Sequence, residues 1–452
     1  MHLPESALQE PPPQSERGAS IEPAAVAPFP SRPQPSLYRV VWRWHFYAGV
    51  LVAPILFVIA VTGALYVFKD ELDRVFYADT MFVTPQSGTI PLERQVLAAE
   101  AAYPGSTADT IEVDTDPTRA TSVRLRGGPV RPQRVYVNPH TGVVQGAIGD
   151  YSFFRVVLDL HRRLFLGTTG RAVVETVTCW TIVLLGTGLF LWWPRRPALR
   201  GVLVPRLRAR PYTVLRDLHA ITGAVLLPIA MTIAFTGLVY TLIWGSGYSS
   251  ASAAAATTPR SVSPPGAPRF PLDQAVAITR AHDPQASFVD VKLSTDPEEA
   301  IVTRAKRNET GPSTGPKRQI VLALDRSTGE VLDLQTSDRY ATLRWWRTTW
   351  NYPLHVGSIL GTPTKVVWLI ACLVLAALPV TGLWMWWERR PEGQTGFPRR
   401  PDRSLPAWLL CLVGLTAVVL PTVGATILLI LLGEWLVART WAARALPGTS
   451  TK

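Results

Sequence analysis

Residues 43–68 read RWHFYAGVLVAPILFVIAVTGALYVF, an apolar run long enough to cross about 30 Å of hydrocarbon, with a histidine inside its first turn. Inside a bilayer every backbone N–H and C=O must be paired within the protein, so such a run has to be a helix and the fold has to be arranged around it. Four blocks qualify: 46–68, 173–193, 220–244 and 366–387. A fifth, 405–438, is too long for one upright helix, and Pro421 with Gly424 close behind predicts a short helical pair instead. The mean hydropathy of +0.16, with 47% hydrophobic residues, agrees with a chain dominated by these blocks.

The expected order is a tail (1–36), a first span (37–68), an exterior domain (69–160), a second span (161–193), a basic loop (194–216) and a third span (217–244). A second exterior domain (245–354), a fourth span (355–387), a loop (388–404), the hydrophobic hairpin (405–438) and a last tail (439–452) follow. Residues 1–36 are rich in Pro, Ser and Ala and lack the charged, then apolar, order of a cleavable leader, so they read as a disordered cytoplasmic tail. Orientation follows from arginine: 194–216 holds Arg195, Arg196, Arg200, Arg206, Arg208, Arg210 and Arg216 without an acid, and 389–403 holds five more. Both loops are expected in the cytoplasm, with the N-terminus, while 69–160 and 245–354 face outward. The net charge of +12 is then a consequence of topology, and no nucleic-acid partner is needed to account for it. Cys179, Cys372 and Cys411 fall one per apolar segment and read as buried thiols.

The chain is written twice. His45, Gly49, Pro54, Thr62 and Gly63 recur at the same offsets as His219, Gly223, Pro228, Thr236 and Gly237. A second template joins His161, Gly167, Thr187, Gly188, Trp192, Trp193, Arg195 and Arg196 to His355, Gly361, Thr381, Gly382, Trp386, Trp387, Arg389 and Arg390. The exterior segments repeat as well, FPLDQAVAITRAHDPQASFVDVKLS echoing IPLERQVLAAEAAYPGSTADTIEVD, each reading as a helix followed by strands turning at Thr-Gly. The fold class expected is a polytopic α-helical membrane protein: two parallel helix–domain–helix repeats, four core helices and two small α+β exterior domains.

That symmetry sorts the histidines by depth. His45 and His219 start outward-running helices, and His161 and His355 stand on the exterior approach to inward-running ones, so one pair is expected near each face. Two facing neutral imidazoles form the axial ligand set of a b-type haem, which predicts one or two haems b. Gly49 and Gly223, one turn beyond their histidines, leave room for a flat macrocycle, and the Thr-Gly pairs add small residues at the level of each histidine pair. Arg171 and Lys365, each ten residues after an outer histidine, are candidate partners for haem propionates; snorkelling at the interface explains them equally well. His140, His282 and His2 have no repeat partner and read as solvated. The tryptophans at span ends form an aromatic belt.

These motifs, "H...G....P.......TG" and "LH.....G" running to "TGL.LWW.RR" around exterior domains ending in "TG.V", resemble the PepSY-associated transmembrane family of bacterial inner-membrane proteins over residues 37–390. The resemblance implies an iron-uptake role, a ferric siderophore or other ferric chelate reduced on the periplasmic side, and His45, His219, His161 and His355 as ligands of haem iron. Relatives whose PepSY domains bind or regulate proteases supply a second reading, a non-enzymatic exterior module. A third is a chelate permease, against which counts a reading of the spans as free of acidic residues. With no dinucleotide fingerprint and no cytoplasmic domain for a flavin, the donor is expected to be a quinol or a separate reductase.

Overall fold

The computed structural model describes residues 36–445, apart from 129–131, 150, 195–198, 253–258, 265, 297, 308–317, 341 and 399–405. The expectations for the two tails, for His2, and for Arg195, Arg196, Arg399, Arg400 and Arg403 therefore fall outside the described residues, save at Ser36 and 439–445.

The first half begins with α1 (Ser36–Tyr66), a 31-residue helix unbroken by the Pro54 inside it. Short α2 (Lys69–Phe76) and α3 (Ala78–Met81) lead to α4 (Leu92–Ala102) and to the strands β1 (Ser106–Asp114), β2 (Thr121–Gly127), β3 (Pro132–Val137) and β4 (Val144–Gly149). The chain returns through α5 (Phe153–Arg163) into α6 (Gly167–Trp192). The second half runs α7 (Pro211–Val225), α8 (Leu227–Leu238), α9 (Ile243–Ser252), α10 (Leu272–His282), then β5 (Phe288–Lys292), β6 (Ile301–Lys306), β7 (Gln319–Leu324) and β8 (Val331–Thr336). It returns through α11 (Thr342–Trp345), a π-helical turn at Trp346–Trp350 and α12 (Asn351–Val356) into α13 (Thr362–Arg389). Helices α14 (Ala407–Val419) and α15 (Pro421–Ala445) pack on each other, divided just before Pro421.

Helices α1, α6 and α13 are each long and apolar enough to cross a membrane, and α7 with α8 makes a fourth candidate that bends by 64°. Where one span over 217–244 was expected, the helix is broken into this bent pair. Leu226 leaves the helical region and Pro228, two residues on, has no N–H to carry the ladder across the break. The same proline offset in α1 leaves that helix intact, and nothing in the local sequence separates the two cases. Cys179 and Cys372 are buried, but Cys411 is exposed on α14, a short helix with one face left uncovered.

The two exterior segments, read as two small α+β domains, share one sheet. Their strands form one antiparallel sheet in the order β4-β3-β2-β1-β5-β6-β7-β8, joined where β1 pairs with β5. Thr110 pairs with Lys292, Glu112 with Asp290, and Ile111 with Val291. Ile111 and Val291 hold matching places in the two segments, so a local two-fold passes through their pair, and both are fully buried. Helices α4 and α10 cover this seam with Leu92, Ala99, Leu272 and Ala275, while Val123, Val135 and Val289 rise from the sheet to meet them. The helices also cap each other. Leu92 N–H donates to Asp273 Oδ2 (3.0 Å) and Leu272 N–H to Glu93 Oε1 (2.7 Å), so each N-terminus receives a carboxylate from the opposite half.

Candidate functional site

The helices bring the four repeated histidines together as two pairs. The rings of His45 and His219 lie 6.4 Å apart centre to centre at an interplanar angle of 85°, and those of His161 and His355 lie 6.4 Å apart at 58°. An imidazole nitrogen bonds a transition metal at about 2 Å and lies roughly 1 Å from its ring centre, so two rings on opposite sides of one iron stand about 6 Å apart. Gly63, eighteen positions after His45 on α1, packs against the His161 ring. At 1.5 Å per residue this separates the two pairs by about 27 Å.

Each ring is oriented by a Thr-Gly pair from a neighbouring helix. His45 Nδ1 meets Thr187 Oγ1 at 2.9 Å, His219 meets Thr381 at 3.0 Å, His161 meets Thr62 at 3.1 Å and His355 meets Thr236 at 3.2 Å. Every one of these threonines already donates its proton to the carbonyl four residues back, at 2.8, 2.9, 2.7 and 2.6 Å in the same order. The hydroxyl oxygen can then only accept, so the imidazole must donate from Nδ1–H. At the sheet end the carbonyls of Ile59 (3.0 Å) and Ile233 (3.1 Å) accept from the same nitrogens and impose the same tautomer. In their neutral form all four rings therefore carry the proton on Nδ1 and leave the Nε2 lone pair over, the form that binds metal. No Nε2 among them has a hydrogen-bond partner among the described residues.

The glycines explain why the rings fit. A Cβ on Gly188, Gly63, Gly237 or Gly382 would stand 3.2–3.5 Å from the Cε1 of the histidine that its own threonine holds. Gly49 has nothing within 4 Å of a Cβ position and faces open space, whereas a Cβ on Gly223 would touch Leu378 at 3.7 Å. Reading these sites from the sequence found the glycines as small residues but missed the threonine as the acceptor that fixes the tautomer.

The cations divide differently from expectation. Lys365 is 1% exposed and its ammonium binds both oxygens of Glu71 (2.8 and 3.0 Å), which leaves it committed to an ion pair. Arg171 donates to the Thr241 carbonyl (2.9 Å), and Arg162 to the neighbouring Tyr240 carbonyl (3.2 Å). Both keep a buried Nε without a partner, as does Arg43 near the opposite pair. The Tyr240 ring lies 5.4 Å from His355 and under the Arg162 guanidinium. Arg162 and Arg43 escaped the sequence reading because neither has a counterpart in the other half. One turn below Arg171, fully buried Glu175 accepts from the N–H groups of Ile243 (2.7 Å) and Trp244 (2.9 Å) at the start of α9. It corrects the reading that the spans carry no acid; its carboxylate is occupied as a helix cap.

The pairing of helices and sheet described above coincides with the match to known families: the PepSY-associated TM region matches residues 42–389, most of the chain. The chain belongs to the PepSY-associated TM family. With its apolar helices, membership makes it a membrane protein. No curated protein matches this family member. His140 and His282, outside the pairs, serve local structure, bonding the carbonyls of Gly88 and Ile278. No three His, Cys, Asp or Glu side chains converge among the described residues.

Proposed function

We propose that this chain is a haem b-carrying inner-membrane reductase that passes electrons across the bilayer to a ferric chelate, of the siderophore class, on the side of the sheet. The observation that carries the reading is the pair of imidazole pairs: two rings whose centres stand 6.4 Å apart, a spacing that suits one shared iron, twice, about 27 Å apart along a membrane helix. A porphyrin supplies four nitrogens of its own and asks the protein for two axial donors, which is what each pair offers. The open space at Gly49 and the unpartnered Nε atoms of Arg43, Arg162 and Arg171 fit the remaining needs, a flat volume and cations for the propionates. When bound, haem supplies one-electron redox chemistry.

The rest is done by the chain. His45, His219, His161 and His355 would hold the iron; Thr187, Thr381, Thr62 and Thr236 keep Nδ1 protonated and the rings aimed. The apolar helices exclude water between the two ends. Reduction on the sheet side frees iron because hard oxygen chelators hold Fe(II) more weakly than Fe(III).

The test is the pyridine haemochrome spectrum of detergent-purified protein, expressed with ample iron and haem and expressed as haem per chain. About two haems b per chain is the expected result. A colourless protein with no haem would overturn the reading in favour of an exterior module that binds a peptide or protease.

A further inference from the structure

We propose that the cavity at the C-terminal end of α13 receives the head group of a membrane quinol, the electron donor for the reading above, on which this inference rests. The cavity has a volume of about 530 Å³ and is lined by Trp386, Trp387, Arg390, Glu392, Gln394 and Phe397. Its far wall is a loop turned back by Gly393 (φ 70°) and Gly396 (φ 66°) and pinned in place. Trp386 Nε1 donates to the Thr395 carbonyl (3.0 Å) and Tyr47 Oη to the Pro398 carbonyl (3.1 Å). The Phe397 ring stacks on Trp386 (5.5 Å, 21°) and on Tyr47 (5.9 Å, 18°), so one wall of this open slot is aromatic.

The slot shares its wall with the His45–His219 pair. Trp386 stands one helical turn beyond Gly382, which packs on the His219 ring, and the ring of Phe46, the residue after His45, lies 6.3 Å from Trp386. A quinol must shed protons as well as electrons, and the Glu392 carboxylate and Gln394 amide oxygen are acceptors on the lining. The lipid side of α13 leads there: Val366, Ile370, Leu373, Ala377, Val380, Trp384 and Trp387 are exposed at three- and four-residue steps, an apolar stripe that ends in the cavity. That track suits a donor with an isoprenoid tail rather than a soluble flavin. With haem bound between His45 and His219, the quinol would be oxidised to quinone in two one-electron steps, the first electron moving on toward the sheet-side pair before the second is taken, and would release two protons, one to Glu392 and one to water at this exposed position.

The experiment uses the full chain in lipid nanodiscs. Irradiation with an azidoquinone, followed by mass spectrometry, is expected to label the peptide spanning residues 384–398, a readout independent of haem. Anaerobic decylubiquinol is expected to reduce the haem spectrum, at least tenfold more slowly in Phe397→Ala, while dithionite reduces both proteins alike. Should Phe397→Ala elute as aggregate, Glu392→Gln, at an exposed position, is expected to show the same slowing. Label confined to other segments, or reduction by reduced flavin mononucleotide but not by decylubiquinol, overturns the quinol site. Label at 384–398 in a protein without haem keeps the site and overturns the reductase reading.

Discussion

The two halves of the molecule agree at the histidines and differ in almost everything that surrounds them. In each half a threonine holds Nδ1, a glycine admits the ring, and the partner ring stands 6.4 Å away. Yet α1 runs straight through Pro54 where α7 and α8 bend by 64° before Pro228. At the sheet end one half grips the other through a buried Lys365–Glu71 ion pair, and the reverse grip uses Arg171 on a carbonyl and Glu175 on two N–H groups. The difference teaches which contacts the site depends on. Ring orientation and ring separation are met in the same way twice, while the ties between halves are met by any chemistry that closes them.

Removing a ligand is the strongest way to break the comparison. His219→Ala and His355→Ala are each expected to lower bound haem from about two per chain to about one, read by the haemochrome spectrum. Loss of both haems from either variant would mean that the two ends do not fill independently.

The tie between halves comes next. Glu71→Gln leaves the Lys365 ammonium buried without an anion and is expected to cost about 2 kcal/mol, less than a fully enclosed pair because Glu71 reaches water. The double variant Lys365→Met, Glu71→Leu should recover most of that in a thermal-unfolding assay by size-exclusion fluorescence. If the single and double variants are equally unstable, the charge is not what matters there.

The threonines separate His45 from His161. Thr187→Val removes the one hydrogen-bond acceptor shown for His45 Nδ1 and is expected to weaken haem retention about tenfold, with Thr187→Ser restoring it. Thr62→Val leaves the Ile59 carbonyl in place for His161, so the loss measured by haem transfer to apomyoglobin should be smaller. Equal losses would erase the distinction between these two histidines.

The smallest effect concerns the Thr-Gly turns of the sheet. Asn138 in the first half accepts from the N–H of His140 (2.9 Å), and its counterpart Asp325 accepts from Ser327 (3.0 Å) and Thr328 (2.9 Å). Asp325 also binds Ser261 Oγ, Val262 N–H and Ser263 N–H, so a charge replaces a neutral amide. Burial pushes the Asp325 carboxyl up, but the hydroxyls of Ser261 and Ser263 and the turn N–H groups outweigh it and hold it below the usual range. Its stabilisation is therefore present above the ordinary carboxylate value near 3.8 and is lost as the pH falls through the lower folded value. Hydrogen exchange during acidification should loosen 261–263 before the Asn138 turn, and Asp325→Asn should remove the difference.

The histidines, the spans and the Thr-Gly glycines were legible in the sequence because they recur at fixed offsets, and recurrence is visible without coordinates. That same filter hid Arg43 and Arg162, which only one half carries, and offered Arg171 and Lys365 instead, the second of which is paired with Glu71. Thr187 looked like mere smallness, since its role depends on a proton committed to the Val183 carbonyl, a matter of helix geometry. Glu175 was overlooked within its span, where its carboxylate reads as forbidden until its two N–H partners are seen. The bend at Leu226 had no sequence signal that Pro54 lacks. The fusion of the two exterior segments into one sheet was illegible for another reason: two small domains each with a complete hairpin set look self-sufficient, and only the pairing of β1 with β5 shows that they share an edge.

That shared edge has an implication for how such a chain can arise. Because the local two-fold passes through Ile111 and Val291, and the carboxylate caps of α4 and α10 are exchanged across it, a polypeptide of half the length would carry a strand complementary to itself. Left alone it would expose that strand's unpaired backbone, so it would close as a homodimer by pairing β1 with a second β1. Each imidazole pair would then be split between two subunits, and gene fusion would convert a concentration-dependent site into one that forms within a single molecule.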